Sequence, residues 1–166
     1  MKAIKKTFIL FVSILTTTLF ISCSDDDAAP IEDQGPKPTG NSKTYTLGSV
    51  AVETISGTAT FTELDDNSIT VTLNLQNTPS GGVHPAHIHI NTAAESGGIA
   101  ISLSPVDGTT GKSSTNFNTK DDNSTISYGN LLDFDGYINV HLSASELSTL
   151  VAQGDIGQNE LTGNST

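Results

Sequence analysis

Apolar side chains in this chain recur at every second position within short runs. Residues 68–75 show it most cleanly, with Ile69, Val71, Leu73 and Leu75 set against Ser68, Thr70, Thr72 and Asn74. Successive strand side chains point to opposite faces, so this is the pattern of a strand with one face in a core. Runs 44–52, 57–64, 99–103, 113–118 and 136–142 repeat it more loosely. Between them stand Asp65-Asp66-Asn67, Gly97-Gly98, the stretch holding Pro105, Asp107, Gly108 and Gly111, and the polar segment 120–124. Short strands separated by Gly, Asn and Asp turns predict an all-β sandwich or barrel, not an alternating βα fold. Asp65-Asp66-Asn67 joins its two neighbours as a hairpin. Asp-Asp-Asn-Ser occurs at 65–68 and again at 121–124, which reads as one turn chemistry used twice.

One segment leaves this rhythm. Ser143-Ala144-Ser145-Glu146 has the spacing of a capping box, Leu147, Leu150 and Val151 share a helical face, and Gly154 is placed to stop the helix. The spacing predicts one short helix near the C-terminus, followed by a closing strand over 155–161.

The N-terminal pattern is of another kind. Lys2, Lys5 and Lys6 precede an apolar run over 8–21 that is too short for a comfortable membrane span, and Ser22-Cys23 follows. This predicts a secretion signal over 1–22. The order Leu19-Phe20-Ile21-Ser22-Cys23 resembles the lipobox of bacterial lipoproteins, which implies that Cys23 becomes a lipidated first residue. Asp25-Asp26-Asp27 after it resembles the acidic tag of lipoproteins sent on to the cell surface. The expectation is an outer-membrane lipoprotein facing outward. Residues 23–42, with Pro30, Gly35, Pro36, Pro38 and Gly40 and few apolar side chains, predict a disordered tether. Residues 43–166 then form one domain, long enough for a single core.

Losing the signal would leave Lys37, Lys43, Lys112 and Lys120 against eighteen acidic residues, a formal charge of −14. A chain this acidic has no electrostatic hold on a nucleic-acid backbone. It contains no arginine, which argues against sites that grip phosphate or carboxylate with a guanidinium fork. With one cysteine it can form no internal disulfide, so the core carries the stability.

Chemistry concentrates in one place. His84-Pro85-Ala86-His87-Ile88-His89 holds three of the four histidines, and the fourth, His141, ends the run Tyr137-Ile138-Asn139-Val140-His141. Alternation puts His87 and His89 on the face opposite Ala86 and Ile88, and His141 on the face opposite Ile138 and Val140. If the two runs are sheet neighbours, their imidazoles converge away from the core. Imidazole is a common donor to copper and zinc, so His84, His87, His89 and His141 are the candidate metal ligands. Pro85 favours an extended backbone before it, which leaves the reach of His84 open. Isolated histidines on a half-buried strand also serve as plain polar residues, so the pattern alone does not name a ligand.

With these residues in view, the chain resembles the CHRD family, the domain named after chordin and found singly in bacterial secreted proteins. The resemblance rests on Ala86-His87-Ile88-His89, on the Gly-Tyr-Ile-Asn-Val-His run at 136–141, and on Gly154-Asp155-Ile156-Gly157-Gln158. It covers residues 43–163. Gly157 stands where the family commonly has arginine. The resemblance implies an immunoglobulin-like Greek-key β-sandwich or barrel. The histidine pattern is also similar to the copper ligands of copper/zinc superoxide dismutases. That family adds a bridging histidine, a zinc set, a disulfide and an arginine, and this chain has neither the disulfide nor the arginine.

Other chemistry finds less support. Asp133-Phe134-Asp135-Gly136 and Asp121-Asp122-Asn123 lack the spaced acidic ligand that completes a calcium loop. No Gly-x-Ser-x-Gly elbow is present. Three functions stay open: a non-enzymatic surface module that binds a protein or polysaccharide, a copper- or zinc-binding protein, and a metal-dependent redox enzyme of the dismutase kind. The first two together are favoured.

Overall fold

The computed structural model describes residues 35–160. The signal segment, Cys23 and the tether up to residue 34 lie outside the described residues, as do 161–166. Eight strands form in chain order: β1 (Pro38–Ser49), β2 (Ser56–Leu64), β3 (Ile69–Gln76), β4 (Val83–Ile90), β5 (Ile99–Asp107), β6 (Lys112–Phe117), β7 (Asp135–Ser143) and β8 (Glu146–Gly157). One short helix, α1 (Tyr128–Leu132), stands between β6 and β7. The all-β expectation holds.

Around the barrel the strands run β1-β2-β3-β6-β5-β4-β7-β8, and β8 closes on β1. β4, β5 and β6 follow one another while β7 returns beside β4, which is the Greek-key order. Two junctions are narrow. β5 pairs β6 through Asp107 and Lys112 alone, and β8 pairs β1 through Gly48 with Gln153 and Ser49 with Ala152. These seams divide the barrel into two four-stranded faces, β1-β2-β3-β6 and β5-β4-β7-β8. Sandwich and barrel therefore describe the same object.

The interior is filled by the inward positions of every long strand. Ile69, Val71, Leu73 and Leu75 are buried while Thr70, Thr72, Asn74 and Gln76 are not, as the alternation predicts. Tyr45, Phe61, Ile88, Ile101 and Ile138 are almost wholly removed from water, each contributing about 1.5–3 kcal/mol of transfer free energy. Tyr45 meets Phe61 edge-on, with ring centroids 5.2 Å apart. In the repeated turn, Asp66 Oδ1 accepts the Ser68 amide at 2.9 Å and its hydroxyl at 2.6 Å, and Asp122 Oδ1 accepts the same two groups of Ser124 at the same distances. Asn67 and Asn123 both sit at positive φ, 65° and 66°. The serine contacts hold both aspartates below the ordinary carboxylate range, the hydroxyl first.

The helix is elsewhere than the sequence predicts. The segment 143–154 turns at Ala144-Ser145 and runs on as β8, where Val151 and Ala152 are buried and Leu147 is 49% exposed. Closing the barrel against β1 and β7 outweighs a local helical pattern. The true helix begins at Ser127, whose hydroxyl accepts the Asn130 amide while the Asn130 side chain accepts the Ser127 amide. It too is a capping box, with Asn in the place usually held by Glu or Gln. Tyr128 and Leu131 join the core.

Two boundaries also move. Residues 38–42, expected in the tether, lie in β1, where Pro38 pairs with Leu64 and Ser42 with Thr62 across a bulge. Thr39 and Asn41 both donate to Glu63, so polar side chains hold this extension without burial. β5 runs through Pro105 to Asp107. Between His84 paired with Val106 and Ala86 paired with Leu103, β5 carries one extra residue, so Ser104 and Pro105 face Pro85. Both prolines fall at a bulge, where a missing N–H costs no ladder bond.

Candidate metal centre

β4 and β7 are hydrogen-bonded neighbours, with His87 opposite Asn139 and His89 opposite Tyr137. The inward residues Ala86, Ile88, Ile138 and Val140 anchor both strands in the core, which obliges His87, His89 and His141 to share the outer face. Bulges flank the group. β5 carries Ala100 as an extra residue beside Ile88 and His89, and β8 carries Val151 as an extra residue beside Val140 and His141. A bulge kinks its strand and re-aims neighbouring side chains.

One donor nitrogen from each of His87, His89 and His141 lies within 4.8 Å of the other two. His87 Nδ1 and His141 Nε2 stand 3.2 Å apart. The ring orientations follow from their hydrogen bonds. His89 Nδ1 lies 2.9 Å from the Gly97 carbonyl and His141 Nδ1 lies 2.5 Å from the Leu147 carbonyl. A carbonyl only accepts, so both Nδ1 atoms carry the proton and both Nε2 atoms keep a lone pair. His141 Nε2 then accepts from His87 Nδ1. His89 Nε2 is buried and has no hydrogen-bond partner among the described residues.

This outer face is unusually covered. His141 is 7% exposed and Asn139 likewise; the start of β8 meets His141 through the Leu147 carbonyl, Gln153 meets Asn139, and segment 91–98 meets His89 and Tyr137 through Gly97. Gly97 is held on both sides, its carbonyl by His89 and its N–H by the Tyr137 hydroxyl at 3.1 Å. A side chain at Gly97 would run into the Ile90 carbonyl, so the close approach requires glycine. Tyr137 also stacks on His89, centroids 4.9 Å apart and planes 18° from parallel.

Burial lowers the proton affinity of His87 below the ordinary imidazole value, and the neighbouring His141 and His89 lower it further, while Asp121 acts the other way. Burial lowers His141 also, opposed by its bond to the Leu147 carbonyl. Both rings are therefore neutral near pH 7, as metal donors must be. Two nitrogens bound to one zinc or copper ion at about 2.0 Å and a tetrahedral angle stand about 3.3 Å apart. The His87–His141 separation already matches that span, and the third nitrogen, from His89, lies within 4.8 Å of both.

His84 does not join them. It shares the core face with Ala86 and Ile88, is 1% exposed, and directs Nδ1 at the carbonyls of Leu142 and His141, 2.9 and 3.2 Å away. The proline between His84 and Ala86 leaves the alternation intact, so the even-numbered histidine goes inward. It ties the start of β4 to the backbone of His141 and Leu142. The carbonyls of Gly97 and Leu147, and the Tyr137 stack, had no signal in the sequence beyond the parity that aligns Tyr137 with His89.

Beyond Asn139, whose Oδ1 accepts from Gln153 Nε2 at 2.8 Å, a cavity of about 360 Å³ opens along β8. Thr46, Ala93, Gln153, Asp155 and Glu160 line it, with no aromatic ring among them.

No curated protein and no solved structure gives a match to this chain. The family model of the CHRD domain does, over residues 38–147, from the first residue of β1 into the start of β8 and through all four histidines. The Gly154–Gln158 close lies beyond the matched residues but is part of β8 up to Gly157. A match over well more than half its length makes this chain a member of the CHRD domain family.

Proposed function

We propose that this protein is a surface-anchored lipoprotein whose CHRD domain binds a transition metal, copper or zinc, through His87, His89 and His141. The observation that carries the reading is the trio of imidazoles, two of them fixed by Nδ1–H bonds to backbone carbonyls and one presenting a buried, unpartnered Nε2. Metal-bound histidines typically donate their second N–H to a carbonyl or carboxylate, which sets the tautomer. Three nitrogens without thiolate or carboxylate suit copper and zinc over magnesium or calcium. With three protein ligands a fourth position is left for water or an outside donor.

The anchor is proposed from Cys23 and the segment before it, and a lipid there places the domain at the outer membrane, facing outward. The role is binding, with a protein or polysaccharide as the further partner. The polar cavity beside Gln153 supports such a ligand more than it supports an apolar one.

The test is metal content and titration of the full chain, purified without an affinity histidine tag, beside a His87→Ala, His141→Ala variant. About one equivalent of copper or zinc held more tightly than micromolar, and lost in the variant, is the expected result. Equal binding by the two proteins, or none by either, would sink the proposal. Copper-loaded protein that turns over superoxide would move the function to the redox class.

A further inference from the structure

The sequence singles out Asp121-Asp122-Asn123-Ser124 as the second copy of a turn, and the two copies differ in their first aspartate. In the first copy Asp65 accepts the Lys37 amide at 2.9 Å and holds the start of β1. In the second, Asp121 reaches across to β5, where Oδ1 accepts the Ser102 amide at 3.0 Å and Oδ2 accepts the Ser102 hydroxyl at 2.8 Å. Its own amide donates to the Ala100 carbonyl, also 3.0 Å away. Two hydrogen bonds to the carboxylate and one from the backbone amide fix Asp121, although it is exposed to solvent.

Ser102 is the residue of β5 directly opposite His87 on β4. Opposed residues on adjacent antiparallel strands put their side chains on one face, with Cβ atoms about 5 Å apart. The Ser102 hydroxyl therefore delivers the Asp121 carboxylate to the flank of the His87 ring. That ring is the least constrained of the three. His89 and His141 are each locked by a carbonyl, whereas among the described residues the one hydrogen bond of the His87 ring is to His141. Among the described residues the two ion pairs are Lys43–Glu160 and Lys120–Asp122, so no cation neutralises Asp121.

We infer that Asp121 is a positioning residue for the metal centre, an anion that orients His87 and strengthens it as a donor, held in place by Ser102. Its oxygens do not belong to the donor cluster, so it works through His87 and not as a fourth ligand. When His87 binds a metal through Nδ1, the ring carries its remaining proton on Nε2. A nearby carboxylate stabilises that N–H and the positive charge the ring takes on. His87 then gains what backbone carbonyls give His89 and His141, so each ligand has an outer partner. The inference rests on the metal reading proposed above.

The experiment titrates copper(II) and zinc(II) into the untagged full chain and into Asp121→Asn, Asp121→Glu and Asp122→Asn, with a competing chelator to read affinity. Asp121→Asn keeps an acceptor for Ser102 and removes the charge. It is expected to bind about ten-fold more weakly, with an altered copper(II) spectrum at full loading and an unchanged far-ultraviolet circular dichroism spectrum. Asp121→Glu should recover part of the loss. Asp122→Asn removes the same charge one residue away, from a carboxylate committed to Ser124, and should bind as the native chain does. Native affinity in Asp121→Asn, or an equal loss in Asp122→Asn, overturns the role of Asp121 and leaves the histidine site standing. A native chain that binds neither metal overturns both.

Discussion

Replacing His84 with alanine would leave the carbonyls of His141 and Leu142 without the N–H that reaches them from β4, and a hole where a fully buried ring had been. His84→Ala is expected to cost about 2–5 kcal/mol in urea unfolding. His87→Ala, on the partly exposed outer face, should cost less than half as much and lose the metal. A reversed order would mean that the inward and outward assignments of the two residues are wrong. pH reads the same cluster. His87 and His141 have folded-state values below the ordinary 6.5. The unfolded chain takes up protons there first, so their contribution to stability is complete above about pH 6.5 and is lost as pH falls through the lower folded values. The urea midpoint of the metal-free chain should therefore drop between about pH 7 and pH 5, and drop less in His87→Ala, His141→Ala. Identical pH profiles would assign the loss to other groups. At this scale the outer trio was legible, since alternation alone put His87, His89 and His141 on the polar face. His84 was not: the sequence reading places it among the candidate ligands, but it shares its parity with Ala86 and Ile88 and the structure turns it inward. Carbonyl partners were not legible, because a backbone oxygen has no residue identity to read.

The elements were harder to read where a partner far along the chain decides. Leu147, Leu150 and Val151 fit a helical face, and the same residues fit a strand once β7 and β1 offer hydrogen bonds on both sides. The partner on β1 lies about a hundred residues earlier, out of reach of any local pattern. Residues 127–132 hide their helix for a different reason, being one turn long and capped by Asn130. Ser127→Ala should cost about 0.5–2 kcal/mol in the same unfolding experiment, more than Ser143→Ala, which caps nothing. Segment 91–98 makes a sharper test. Gly97→Ala forces the loop off the Ile90 carbonyl and with it the acceptor of His89 Nδ1. Weaker metal binding with all three ligands present is the expected outcome, and native affinity would show that the loop does not set the ring.

For the whole barrel, the two narrow seams are where opening costs least. Amide hydrogen exchange should be faster along β1 near Gly48 and β6 near Lys112 than along β4, which is paired on both sides over most of its length. Uniform protection around the barrel would contradict that ranking. Closure by β8 has a further consequence. A strand at the border of an open sheet shows a free row of N–H and C=O groups, on which a second chain can template. Here β2, β3, β4 and β7 are paired on both sides over most of their length, while β1, β5, β6 and β8 each have one side joined only at a narrow seam. Edge-to-edge stacking of crowded copies is thereby confined to the two seams, and the lifetimes of the one-pair β5–β6 and two-pair β1–β8 junctions set how often it can begin.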